Sequence, residues 1–233
     1  MAAIGLHEYG GMAFPQDRLA RGALLVFGLL VAASVVAGMI PWTGAALSFA
    51  VIGGLVLALM RNGDLSLAVG RLGLLLLGVL YVGFVIPHVA LLRQQPEGWR
   101  WVLFTVYTAM GSDSGGYFAG RAYGRHKLMP AVSPSKTVEG AVGALAGAVL
   151  IGAICWLVFF RELPLAETLG VALAIGILAQ LGDLCESALK RAFGAKDSGW
   201  IIPGHGGILD RLDSLLFPFV FAYYYYAVAT RAW

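Results

Sequence analysis

LSLAVGRLGLLLLGVLYVGFVIPHVALL runs from Leu65 to Leu92 with Arg71 as its one residue of fixed charge. A helix needs about 20 apolar residues to cross roughly 30 Å of hydrocarbon. This stretch is long enough, and Arg71, near its start, can snorkel to the interface. Six further stretches have the same character: Ala23–Ile40, Thr43–Met60, Trp101–Gly120, Gly140–Phe160, Thr168–Leu184 and Leu212–Ala229. A transmembrane β-barrel would show shorter segments alternating apolar and polar residues, and the sequence has none. Ala23–Ile40 exceeds the apolar core of a signal peptide, and a second span follows almost at once, so it reads as retained. Composition agrees: of 233 residues, 59% are apolar and 12% charged, with a mean hydropathy of +0.81. Soluble domains average about 45–50% apolar and about 25% charged. An ordinary cytosolic enzyme, a nucleic-acid binder and a disordered chain are all excluded. The expected fold is all-α, a polytopic integral membrane protein of about seven transmembrane helices. Cys155 and Cys185 read as small buried apolar residues, not as a disulfide or a zinc site.

Lysine and arginine set the orientation, because cytoplasmic loops carry the excess. With the amino terminus inside, Arg18, Arg21, Arg61, Arg71, Arg121, Arg125, Lys127, Lys136, Lys190, Arg191, Lys196 and Arg211 fall on the inner side. Arg93, Arg100, Arg161 and Arg231 fall outside. The expected location is therefore the cell (inner) membrane, with the polar segments 111–139 and 183–214 facing the cytoplasm. The net charge of +3 gives no reason to expect nucleic acid as a partner. One membrane domain over residues 1–233 is the simplest organisation, with amino-terminal helices in 1–100 and the chemistry in 101–233.

Three constellations carry candidate chemistry. Gly111-Ser112-Asp113-Ser114-Gly115-Gly116-Tyr117 interrupts the fourth span, and a carboxylate there should face protein or a water-filled cavity. Its glycines and serines let the backbone bend or unwind and offer amides to an anion; the plain alternative is a polar contact between helices. Ser133-Pro134-Ser135-Lys136-Thr137-Val138-Glu139-Gly140 opens the fifth span as a helix start with an acid in its first turn, and Lys136 is a mobile charge suited to phosphate. The third and strongest constellation is Gly182 to Arg191, Lys196 to Gly199 and Pro203 to Ser214. If the sixth helix continues past Leu184, then Asp183, Glu186, Ser187 and Lys190 share one face. Asp210 and Asp213 repeat the spacing at the start of the seventh. Hard oxygen ligands without a Cys/His set suggest Mg²⁺. Gly204, Gly206 and Gly207 allow a tight turn and close backbone approach to a ligand, and His205 is either a phosphate donor or a structural residue of that turn.

Ser187-x-x-Lys190-Arg191-x4-Lys196-Asp197-Ser198-Gly199-x3-Pro203-Gly204-His205-Gly206-Gly207-x2-Asp210-Arg211-x-Asp213 closely resembles the signature of CDP-diacylglycerol synthases, also called phosphatidate cytidylyltransferases. The segments 113–121 and 133–140 are similar to that family's two upstream motifs, and the resemblance covers about residues 105–215. Two departures stand out: family members usually carry Lys where this chain has Ser135, and the chain is short for the family, as if amino-terminal spans were missing. The resemblance implies CTP and phosphatidate as substrates, CDP-diacylglycerol and pyrophosphate as products, and a membrane-embedded enzyme of phospholipid biosynthesis. For that chemistry Asp183 and Asp210 are the expected principal Mg²⁺ ligands, with Asp213 third and Glu186 weaker; the resemblance adds a monovalent cation such as K⁺ nearby, and a homodimer is an open expectation. Lys190 and Lys136 would hold phosphates and Ser133 and Ser187 would donate hydroxyls. Lys196 and Arg211 would follow, and Asp113 would orient a lysine or touch the nucleotide. Two other readings stay open: a CTP-dependent lipid-alcohol kinase, whose nucleophile needs a base, and a transporter, against which the charges gather at one face.

Overall fold

The computed structural model describes residues 1–60, 65–199 and 206–230. Its elements are α1 (Ala2–Ala13), α2 (Arg18–Val36), α3 (Ile40–Leu59), α4 (Leu65–Gly78), a π-helical turn (Val79–Phe84), α5 (His88–Gln94) and α6 (Gly98–Tyr123). A hairpin of β1 (Lys127–Met129) and β2 (Ser133–Thr137) follows, then α7 (Val138–Val158), α8 (Leu165–Ala192) and α9 (Leu209–Thr230). Among the described residues, six helical runs are long and apolar enough to cross a bilayer: α2, α3, the run from α4 into α5, α7, α8 and α9. The seventh expected span, α6, has 26 residues, about 39 Å at 1.5 Å per residue, but its second half is polar. The chain is thus the all-α membrane protein that its composition predicts, with one short antiparallel hairpin added.

The described residues cluster into two compact units. The first comprises Met1–Leu91 and Ala195–Asp210, the second Leu92–Gly194 and the residues from Arg211 onward. In the first unit α2 starts at Arg18, earlier than the expected Ala23, because Asp17 accepts a hydrogen bond from Ala20 N at 3.0 Å and caps the helix. Leu6 and Tyr9 of α1 are buried, and the Tyr9 hydroxyl donates to Leu74 O at 2.9 Å. A Cβ on Gly83 would stand 2.7 Å from Gly28 O, so α2 and the π-helical turn meet backbone to backbone. That turn precedes Pro87, which has no N–H to continue the ladder. The buried His88 turns Nδ1 to the carbonyls of Phe84 and Val85 at 3.0 and 3.2 Å, covering acceptors beside the break.

In the second unit the expected interruption at Gly111–Tyr117 does not occur. α6 is continuous through it, so its amides are spent inside the helix and are not offered to an anion. The glycines serve packing instead. A Cβ on Gly115 would lie 2.4 Å from Gly143 O, and one on Gly147 would lie 2.3 Å from Gly111 O. Small residues at four-residue spacing let membrane helices approach this closely, and here they bring α6 onto α7. Away from the polar half, Trp101 packs edge-on to Phe160 and Tyr226, while Phe104 stacks on Phe160 with centroids 4.2 Å apart. Cys155 is buried as expected, but Cys185 is exposed, because two residues along a helix from Asp183 turns a side chain to the opposite face.

Candidate active site

In the second unit, α6, the hairpin, α7 and α8 border an open cleft of about 440 Å³. Asp113, Tyr117, Arg121, Lys136, Gln180 and Asp183 are among its lining residues. Gly182 decides how α8 meets α9: a Cβ there would stand 2.3 Å from Asp213 O. With those backbones touching, Asp113, Asp183 and Asp213 lie within electrostatic reach of one another. Three carboxylates so close repel unless cations or hydrogen-bond donors intervene, and the chain supplies both. Lys136 Nζ sits 2.6 Å from Asp183 Oδ2, Ser187 Oγ donates to Asp183 Oδ1 at 3.3 Å, and Ser214 Oγ donates to Asp113 Oδ2 at 3.1 Å. Lys190 also lies within electrostatic reach of Asp213.

Lys136 is held by the hairpin. Thr137 ends β2 and caps α7, its hydroxyl accepting from Gly140 N at 3.1 Å. Glu139 accepts from the amides of Arg125 and His126 at 3.0 and 3.2 Å and pairs with His126 Nδ1 at 2.6 Å. The acid expected in the first turn of this helix therefore clamps the root of the hairpin. Ser133 pairs in register with Met129 and is half-buried, whereas Ser135 lines the cleft beside Lys136.

α8 runs unbroken to Ala192, so Asp183, Glu186, Ser187 and Lys190 do share a face. Glu186 is buried, and Lys190 Nζ lies 2.6 Å from its Oε2 with the lysine side chain only 13% exposed. Arg191, its neighbour, is exposed.

Asp210 belongs to the first unit. Its Oδ2 accepts from Ser198 N, Ser198 Oγ and Gly207 N, each at 2.8 Å. Beside it stands a residue that sequence reasoning missed: Glu8 of α1, 4% exposed. Glu8 Oε1 accepts from Ile208 N at 2.9 Å and Oε2 from Leu209 N at 3.0 Å, while Ser198 Oγ lies 3.3 Å from Oε2. The only available signal was that Glu8 is the one acidic residue in α1. Gly206 and Gly207 lie against the chain's own carboxylates. A Cβ on Gly206, whose φ is +76°, would meet Asp210 Oδ2 at 2.8 Å, and one on Gly207 would meet Glu8 Oε2 at 2.6 Å. Lys196 and Arg211 are exposed. His205, with Pro203 and Gly204, lies outside the described residues.

Among the described residues no set of three or more His, Cys, Asp or Glu side chains gathers closely enough to hold a metal by itself. Mg²⁺ takes one or two carboxylates and fills its shell with phosphate and water oxygens. A hard-oxygen donor set beside lysines fits Mg²⁺ held jointly with a phosphate-bearing ligand.

The sequence profile of the cytidylyltransferase family matches residues 1–229. The chain is 40% identical over 159 residues to the phosphatidate cytidylyltransferase of Bacillus subtilis, an alignment covering 68% of this chain and 59% of that protein. It is 42% identical over 142 residues to the phosphatidate cytidylyltransferase of Staphylococcus saprophyticus, and 43% over 143 residues to that of Staphylococcus aureus. Each of those alignments covers 61% of this chain and 54% of the relative. The chain thus spans somewhat more than half the length of the curated relatives it matches.

Proposed function

The chain belongs to the cytidylyltransferase family, and we propose that it is a phosphatidate cytidylyltransferase that converts CTP and phosphatidate to CDP-diacylglycerol and pyrophosphate. The observation that carries this reading is the Lys136–Asp183 pair in a cleft beside Asp113 and Asp213. That set joins anionic oxygens for a metal with cations for phosphate, and it needs no nucleophile–base pair. The reaction needs none either. A phosphomonoester has its second pKa near 6, so the lipid phosphate is largely dianionic at neutral pH. One of its oxygens bonds to the α-phosphorus of CTP while the bond from that phosphorus to the bridging oxygen breaks, and pyrophosphate leaves with the electron pair. No proton has to move.

The barrier is repulsion between two anions. Asp183 and Asp210 are the principal residues to hold Mg²⁺, with Asp213 and then Glu186 behind them and a monovalent cation such as K⁺ beside it. Bound Mg²⁺ supplies charge neutralisation at the phosphates. Lys136 then exchanges its carboxylate partner for a phosphate oxygen, a role that suits a flexible point charge. Lys190 binds a second phosphate oxygen, with hydroxyl donors from Ser133 and Ser187 and further charge from Lys196 and Arg211. Asp113 orients Lys136, and His205 donates to phosphate. The site faces the cytoplasm of the inner membrane, where CTP is made, and the acyl chains stay in the bilayer.

Proteoliposomes holding the purified chain, phosphatidate, diacylglycerol and Mg²⁺ test the proposal with CTP labelled at the α- or the γ-phosphate. Label from the α-phosphate should appear in lipid. Transfer of γ-label to diacylglycerol would replace the reading with a lipid-alcohol kinase. No CTP-dependent labelling without an ion gradient would leave transport as the better account.

A further inference from the structure

Glu8 sits nearly two hundred positions from the residues it contacts, in a helix whose other side chains carry no acid. A carboxylate buried to 4% exposure is costly unless hydrogen bonds compensate. Here they come from the amides of Ile208, just before α9, and of Leu209, its first residue, which a helix start leaves without internal partners. A negative group also suits the positive end of the helix dipole. Ser198 joins this cap to Asp210, its hydroxyl lying 3.3 Å from Glu8 Oε2 and 2.8 Å from Asp210 Oδ2. Gly199 and Gly207 close over the carboxylate, since a Cβ on either would fall within 2.8 Å of a Glu8 oxygen. The pocket is shaped around this one side chain.

We infer that Glu8 is a positioning residue: it fixes the first turn of α9 and, through Ser198, the aim of the Asp210 carboxylate, so that α1 forms part of the catalytic apparatus. The inference rests on the proposed role of Asp210 in holding the divalent ion. A merely structural cap would change how much protein folds; a positioning residue changes how well the folded protein binds the ion and turns over.

Glu8→Gln keeps the shape but places an NH₂ against amide donors. Glu8→Asp keeps the charge one methylene short, and Ser198→Ala removes the hydroxyl that bridges Glu8 to Asp210 while leaving Glu8 and the backbone N–H of residue 198 in place. Mn²⁺ serves as the probe, its binding to the purified chain with CTP followed by electron paramagnetic resonance, beside α-label transfer to phosphatidate across a Mg²⁺ titration. Glu8→Gln should bind Mn²⁺ at least threefold more weakly and turn over about tenfold more slowly per folded molecule. Glu8→Asp should recover part of both, and Ser198→Ala should shift Mn²⁺ binding in the same direction. Unchanged Mn²⁺ affinity in folded Glu8→Gln, or in folded Ser198→Ala where the glutamate variants do not fold, overturns the inference. So does a loss of activity that only tracks the loss of folded protein. A wild-type chain that transfers no α-label overturns the proposed function and this inference with it. An active wild type beside unaltered variants overturns the inference alone.

Discussion

Glu8 and Asp210 accept hydrogen bonds from backbone amides of Ser198, Gly207, Ile208 and Leu209, whereas Asp113 and Asp183 meet side chains, those of Ser214, Ser187 and Lys136. An amide cannot leave its acceptor unless the turn that carries it comes apart. A lysine or a serine leaves by changing rotamer. The first cluster is therefore tied into the fold, and the second can trade partners without unfolding a turn. Family membership says nothing of this division, and it predicts different consequences for two aspartates that the sequence treats alike.

The comparison is broken most directly by Asp183→Asn and Asp210→Asn. Asp183→Asn should lower α-label transfer at least about 100-fold, because charge at the proposed metal site is worth several kcal/mol. Its thermal midpoint in detergent should stay near wild type, since Ser187 and Lys136 can rearrange. Asp210→Asn should lower both transfer and midpoint, because three donors lose an ionised acceptor and such bonds contribute about 1.5–3 kcal/mol each against about 0.5–1.5 kcal/mol for neutral ones. Equal midpoints in the two variants would erase the distinction between the clusters. Near-normal transfer in either at saturating Mg²⁺ would remove that residue from the metal site.

How much of this could be read from residues alone follows from the range of each interaction. The spans are legible because apolar length is a local property, and the face shared by Asp183, Glu186, Ser187 and Lys190 follows from helix period. The β1–β2 hairpin is not legible: Lys127–Met129 is too short to show alternation, and Pro134 sits inside its partner. The glycines of α6 mislead for a physical reason. Glycine propensity argues for an unwound helix, but the close approach of α7 overrides it, as packing does throughout membrane bundles. Glu8 is out of reach because its partners are distant in the chain and its helix α1, with 12 residues, is too short to stand out as a span.

The glycine contacts give the next largest effect. Gly115→Ala would place a methyl 2.4 Å from Gly143 O and 3.0 Å from Gly147 Cα, both backbone atoms that cannot turn aside. Overpacking of this kind typically costs about 1–3 kcal/mol. Gly170→Ala in α8 meets nothing within 4 Å and should instead stabilise by up to about 1 kcal/mol through helix propensity. Detergent melts of the two variants should move in opposite directions. A Gly115→Ala protein as stable as wild type would mean that α6 and α7 can part without cost, and the cleft they border would then be adjustable.

The smallest difference concerns neighbours on α8, and it separates a ligand-binding cation from one that serves the membrane surface. Lys190 is 13% exposed against Glu186 and lies in the field of Asp213, whereas Arg191, rotated by about 100° along the helix, is exposed. Lys190→Ala should therefore lower α-label transfer at least roughly tenfold more than Arg191→Ala, the value of one charge-assisted contact at about 1.5–3 kcal/mol. The loss has two sources that a second variant can separate, because removing Lys190 also leaves the buried Glu186 without this partner. The double change Lys190→Ala with Glu186→Gln relieves the stranded carboxylate and should restore the melting midpoint while transferring at least roughly tenfold less label than Glu186→Gln alone. If transfer returns with the midpoint, Lys190 supports the fold through Glu186 and does not reach the substrate. Equal, mild losses from Lys190→Ala and Arg191→Ala would assign the whole basic pair to anionic lipid and leave the phosphates to Lys136.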